Sequence, residues 1–100
     1  MPNKLSFQLA PNDAQAHYNL GITLKKLGEL SEAADCYKQA IALKQDHAEA
    51  LYNLGITLKE LGRLDEATSS YQQAIVVKPN HAEAHNNLGN TCQGLWKLDE

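Results

Sequence analysis

The stretch Ala48–His81, AEALYNLGITLKELGRLDEATSSYQQAIVVKPNH, decides the fold, because the 34 residues before it say nearly the same thing. Ala14–His47, AQAHYNLGITLKKLGELSEAADCYKQAIALKQDH, matches it at 21 of 34 positions. A third copy opens at Ala82, where AEAHNNLGNTCQGLWKLDE agrees with the start of the second at 11 of 19 positions. Upstream, Phe7, Leu9 and Pro11 fall in register with Ile41/Ile75, Leu43/Val77 and Gln45/Pro79, so residues 1–13 read as the tail of an earlier, degenerate repeat. The chain then divides into 1–13, 14–47, 48–81 and a truncated 82–100. A fixed period of this length marks stacked units, each too small to bury its apolar face alone.

Every copy reads as two helices. Leu51, Leu54, Leu58 and Leu61 recur at i, i+3, i+7 and i+10, which is one stripe of an amphipathic helix. Asn12/Gln15, Asp46/Glu49 and Asn80/Glu83 have the spacing of capping-box pairs and place the start of each first helix. Gly28 and Gly62 mark its end, since glycine readily takes the left-handed conformation that closes a helix. Second helices follow over about Ser31–Lys44 and Asp65–Lys78, with stripes Ala33, Tyr37, Ala40, Ile41 and Ala67, Tyr71, Ala74, Ile75. Gly21, Gly55 and Gly89 sit inside the first helices, where glycine costs about 1 kcal/mol relative to alanine. Their recurrence predicts a close approach by a neighbouring helix. Ala33/Ala67 and Ala40/Ala74 are the expected facing surface, with Tyr37 and Tyr71 filling the space between.

Composition narrows the function classes. Apolar residues at 43% and charged residues at 21% fit a folded domain. A formal charge of -3, with Lys25-Lys26 the densest basic pair, argues against a nucleic-acid partner, which needs clustered cations. No apolar run approaches the roughly 20 residues that span a bilayer, so no membrane role is expected. Cys36 and Cys92 stand apart with no metal spacing, which points to a reduced, cytoplasmic setting.

The periodic residues resemble the tetratricopeptide repeats, over nearly the whole chain. Copy two carries Leu51, Leu54-Gly55, Leu58, Ala67, Tyr71, Ala74 and Pro79 at the family's positions. Copy one carries His17, Leu20-Gly21, Leu24, Ala33, Tyr37 and Ala40, with Gln45 where proline is usual; copy three carries His85, Leu88-Gly89 and Cys92. The resemblance implies an all-α fold: a superhelical solenoid of antiparallel helix hairpins, about two and a half repeats long, with its concave face lined by first helices. It also implies a non-catalytic scaffold for a protein or peptide partner, with no cofactor.

The groove residues that follow from the resemblance are Tyr18, Asn19, Ile22 and Lys25 in copy one, Tyr52, Asn53, Ile56 and Lys59 in copy two, and Asn87 and Asn90 in copy three. Asn19, Asn53 and Asn87 share one repeat position. An amide offers both a donor and an acceptor, so such a row could grip an extended backbone irrespective of its sequence. The run HAEAHNNLGN is similar to the asparagine-bearing arrays of O-GlcNAc transferases. The alternative is that duplication copied these asparagines and that they are solvated or bonded within their helix. The family's carboxylate clamp for chaperone tails is not supported: Tyr18, Ile22, Glu83 and Asn87 replace four of its five polar residues, and only Asn53 is kept.

Other features read as structural. His81 and His85 lie four apart but lack a third metal ligand, and HAEAH displaces the glutamate of the HExxH pattern by one position. His47 repeats His81 in the inter-hairpin loop and reads as a duplicated surface residue. No nucleophile–base pair is discernible. Cys92 replaces Leu24 and Leu58 and is expected in the core, while Cys36 stands where copy two has Ser70. Trp96 takes the place of Gly28 and Gly62; Gly94 is expected to end the helix early and release Trp96 into a loop, as repeat drift or as an exposed anchor. Leu98-Asp99-Glu100 repeats Leu64-Asp65-Glu66, so the chain is expected to be a fragment or a truncated array. Its last first-helix, with Leu88, Cys92 and Leu95, is then expected to drive self-association through the repeat ends. The rival readings are the targeting array of a larger glycosyltransferase and a self-assembling scaffold.

Overall fold

The computed structural model describes residues 13–98, with side chains as far as Leu95. The leader carrying Phe7, Leu9, Pro11 and Asn12, the Trp96 side chain and Asp99-Glu100 lie outside that description. Five helices run in order: α1 Ala14–Lys26, α2 Leu30–Leu43, α3 Ala48–Glu60, α4 Leu64–Val77 and α5 Ala82–Leu98. There is no strand among the described residues. α1/α2 and α3/α4 form hairpins, each helix packs on the next, and α3 also touches α5. The all-α hairpin solenoid expected from the repeat is the observed fold, drawn out to 57 × 27 × 17 Å.

The helix starts lie one residue later than the capping-box pairs imply. Asp13 caps α1, its carboxylate accepting from Ala16 N at 3.1 Å. His47 caps α3 and His81 caps the first turn of α5, each imidazole Nδ1 accepting from a backbone N–H, of Ala50 and Ala84, at 3.2 Å. An imidazole nitrogen does the work usually given to a carboxylate or hydroxyl. Neither histidine is a surface residue; their relative exposures are 9% and 5%. Second helices begin one residue earlier than expected, at Leu30 and Leu64.

Gly28 and Gly62 do close their helices, with φ of 85° and 82°. Glu29 N donates to Leu24 O at 2.9 Å and Gly28 N to Lys25 O at 3.0 Å; Arg63 and Gly62 repeat the pattern on Leu58 and Lys59, both at 2.9 Å. This double bond pattern is the Schellman motif, and it turns the chain into the second helix. Trp96 occupies the corresponding position in α5, and a residue with a β-carbon takes that conformation only under strain. So α5 continues through Gly94 and Trp96 to Leu98, 17 residues against 13 for α1 and α3. The expected early stop at Gly94 does not occur.

The recurring glycines face rings rather than alanines. A β-carbon on Gly21 would stand 2.7 Å from Tyr37 Cε1, and one on Gly55 would stand 2.5 Å from Tyr71 Cε1. Ala33, Ala67, Leu54 and Leu58 are buried around the same contacts. An aromatic ring laid on bare backbone removes more apolar area from water than a facing methyl could, which favours ring over alanine here. Both tyrosines are fully buried, and their hydroxyls have no partner among the described residues. Burial pushes each phenol up to about 12.

Gly89 has nothing within 4 Å of its would-be β-carbon, and Cys92 is exposed rather than in the core. The second helix that covers Leu24 and Leu58 has no counterpart over α5 among the described residues. These two environments give opposite expectations for one substitution. Gly55→Ala should destabilise by about 1–3 kcal/mol, because overpacking against a ring that cannot retreat exceeds the helix-propensity gain. Gly89→Ala should stabilise by up to about 1 kcal/mol. Urea unfolding monitored by helical circular dichroism checks both signs.

Candidate functional site

The first helices bury one side and present the other. On α3 the buried residues are Ala50, Leu51, Leu54, Gly55, Thr57 and Leu58. At about 100° per residue, Glu49, Tyr52, Asn53, Ile56 and Lys59 fall within the remaining sector of roughly 120°. The equivalent positions on α1 are Gln15, Tyr18, Asn19, Ile22 and Lys25. Tyr18, Ile22, Lys25, Tyr52, Asn53, Ile56, Lys59 and Asn87 are half-buried on this face, while Asn19 and Asn90 are exposed.

The asparagines are not equivalent, although the sequence repeats them. Asn53 Nδ2 donates to Tyr18 Oη at 3.2 Å and to Glu49 O at 2.9 Å. Asn87 Nδ2 donates to Tyr52 Oη at 3.0 Å and to Glu83 O at 3.1 Å. Both amide hydrogens are therefore used, one within the helix and one across to the preceding repeat. Each Oδ1 accepts nothing from the described residues. Asn19 differs: its Oδ1 accepts from Gln15 Nε2 at 3.2 Å. The expectation that each amide offers both a donor and an acceptor outward does not hold for Asn53 and Asn87. The hydroxyls of Tyr18 and Tyr52 accept these bonds and keep their own hydrogen, so the donor beside each free oxygen belongs to a tyrosine.

Tilted ring-to-ring contacts hold these tyrosines. Tyr18 lies against His47 with centroids 4.8 Å apart and against Tyr37 at 5.9 Å; Tyr52 repeats this with His81 at 4.7 Å and Tyr71 at 6.0 Å. One contact chain thus joins the glycine-seated ring, the face tyrosine, the capping histidine and the next repeat's asparagine. Burial, then Glu49, pushes the Tyr18 phenol up; burial, then Glu83, does so for Tyr52. Both rings therefore remain neutral hydroxyls at ordinary pH. This inter-repeat linkage is absent from any local pattern; a tyrosine and an asparagine 35 positions apart are its only sequence trace.

The remaining candidates resolve into packing roles. His81 Nδ1 is committed to Ala84 N, and His85 Nε2 lies 2.8 Å from the carbonyl of Pro79. No group of three His, Cys, Asp or Glu suited to a metal occurs among the described residues. Cys36 is half-buried, and burial, then Asp35 and Glu32, raises its thiol, which disfavours the reactive thiolate. No helix among the described residues is long and apolar enough to cross a membrane.

Family comparison agrees with this geometry. A TPR repeat model matches residues 23–62 and 57–95, and a tetratricopeptide repeat model matches residues 5–34. The chain belongs to the tetratricopeptide-repeat family. Two structures of MamA superpose with TM-scores of 0.86 and 0.85, each 32% identical over 91% of this chain. This chain spans about half the length of those structures, 53% and 50%. The first TPR of Spaghetti (RPAP3), bound to the HSP90 peptide SRMEEVD, superposes with a TM-score of 0.83 at 26% identity, covering 86% of this chain and 68% of that one. No curated protein sequence matches the chain.

The capping histidine ties this tetratricopeptide face to pH. Burial, then Lys44, lowers the His47 pKa below 6.5, against smaller opposing effects of Glu49 and Asp46. The folded state therefore favours neutral imidazole, whose Nδ1 can accept. Stability is full above the unfolded value near 6.5 and is lost as pH falls through the lower folded value. Melting temperature should fall between pH 7.5 and pH 5, and His47→Asn, a cap that does not titrate, should reduce that slope. An unchanged slope in the variant would assign the acid sensitivity elsewhere.

Proposed function

We propose that this tetratricopeptide array is a non-catalytic interaction module that holds an extended peptide against the face of its first helices. The observation that carries the reading is the pair of hydroxyl–amide rungs, Tyr18/Asn53 and Tyr52/Asn87. Each combines an available O–H donor with an available amide oxygen, which is the hydrogen-bonding complement of a peptide unit. Half-buried Ile22 and Ile56 supply apolar floor between them. First helices bridge directly from repeat to repeat through these rungs, which supports their shared face as the place for a peptide.

A peptide partner is consistent with the peptide-bound RPAP3 domain as a structural relative. The acidic tail that domain binds is a poor fit here. Glu83 and Asn87 stand where a carboxylate clamp has cations, so charge-assisted bonds to a terminal carboxylate are lost. The likeness to O-GlcNAc transferase arrays rests on the asparagine row, and two of those amides spend their hydrogens internally. Self-association is the second reading, resting on the open space beside Gly89 and the exposed Cys92 among the described residues.

A peptide array probed with wild type and with Asn53→Ala/Asn87→Ala tests the proposal. The variant should lose about tenfold or more in signal at a temperature where it remains folded, since each rung contributes a bond of about 1 kcal/mol and positions its tyrosine. Identical binding by both would remove the face from consideration. The peptide SRMEEVD should give no saturable binding to either protein.

A further inference from the structure

The first helices run parallel to one another, so their N-termini form one edge of the face and their C-termini the other. Glu49 and Glu83 lie in the first turns of α3 and α5. Lys25 and Lys26 lie in the last turn of α1, and Lys59 in the last turn of α3. Ten residues separate Glu49 from Lys59, about 15 Å along the helix at 1.5 Å per residue. None of Glu49, Glu83, Lys25 or Lys59 makes an ion pair with a described residue; the single such pair, Arg63–Glu66, begins α4. Glu60 beside Lys59 dilutes the basic edge without reversing it. The rungs lie between the two edges.

We propose that the face selects an extended peptide whose side chains alternate in charge, cations against the Glu49/Glu83 edge and anions against the Lys25/Lys59 edge. The inference rests on the peptide-binding reading above and gives it a sequence preference. An extended strand points successive side chains to opposite sides, while its N–H and C=O groups lie in the plane between them. When those backbone groups meet the rungs of the floor, alternate side chains are delivered to the two edges. Charge complementarity then specifies the alternation: a uniformly basic or acidic strand satisfies one edge and opposes the other.

Two synthetic peptides of equal composition test this with the full chain. One alternates Lys and Glu over about twelve residues, enough at ~3.3 Å per residue to cross the first helices. The other carries the same lysines as one block and the glutamates as another. Both are neutral, so attraction to the protein's net charge is the same for each. By fluorescence anisotropy at low salt the alternating peptide should bind at least about tenfold more tightly. Glu49→Lys/Glu83→Lys makes both edges basic and should abolish that preference. Adding Lys25→Glu/Lys59→Glu reverses both edges and should restore it, because the peptide can turn over. All four positions are at least partly exposed, and thermal melts confirm folding of each variant. Equal affinity for the two peptides, or no binding of either, overturns the alternation. If an array-derived peptide still requires Asn53 and Asn87, the peptide-binding reading survives that failure; if none does, both fall.

Discussion

A tyrosine ring seated on bare glycine backbone sets the spacing within each hairpin. Tyr37 occupies the volume that a side chain at Gly21 would take, and Tyr71 does the same at Gly55. Any β-carbon there would push the second helix away from the first, and the buried alanines around the rings would lose contact with it. Glycine's helix penalty of about 1 kcal/mol is small beside the burial of a whole ring. The unit is complete in the first two hairpins, while α5 shows Gly89 with no ring upon it.

The same ring passes order outward to the shared face of the first helices. Tyr37 packs against Tyr18, Tyr18 against His47, and Asn53 donates to the Tyr18 hydroxyl; Tyr71, Tyr52, His81 and Asn87 repeat the sequence of contacts. Hydrogen bonding therefore links one repeat to the next at the surface, and the capping imidazole links that surface to the start of the following helix. A face assembled this way holds its tyrosines with little side-chain freedom, the preorganisation that the proposed peptide binding would draw on. Its polarity also differs from a row of free amides, because donor and acceptor come from different residues on adjacent repeats.

Much of the fold was legible in the sequence. The period, the leucine stripes and the positions of Gly28 and Gly62 report local geometry, and the structure returns two hairpins and a further helix from them. At α3 and α5 the capping pairs are one residue off because histidine is an uncommon cap whose role requires burial that no dipeptide pattern shows; at α1 the adjacent Asp13 caps in place of Asn12. Smallness on both sides suggests alanine as the partner of glycine; the observed partners are Tyr37 and Tyr71, since the gap left by a missing β-carbon is filled best by a flat ring. Gly94 is no helix stop despite its glycine, because a single glycine inside a helix does not end it when neither it nor a described residue downstream takes the left-handed turn.

The candidate face was legible as a set of positions and not as a set of bonds. Which residues share the sector of α1, α3 and α5 follows from 3.6 residues per turn, and Tyr18, Asn19, Tyr52, Asn53 and Asn87 do lie on that side of their helices. Whether an amide points its hydrogens outward or inward was beyond the sequence, because Asn19, Asn53 and Asn87 are the same residue in the same motif. What separates them is a neighbour 35 positions earlier, brought within 3.2 Å and 3.0 Å by helix packing. Periodicity is a local property of the chain, and it was enough to specify helices and hairpins. Hydrogen-bond assignment on the face is a property of adjacent repeats in contact, so only the packed array decided it.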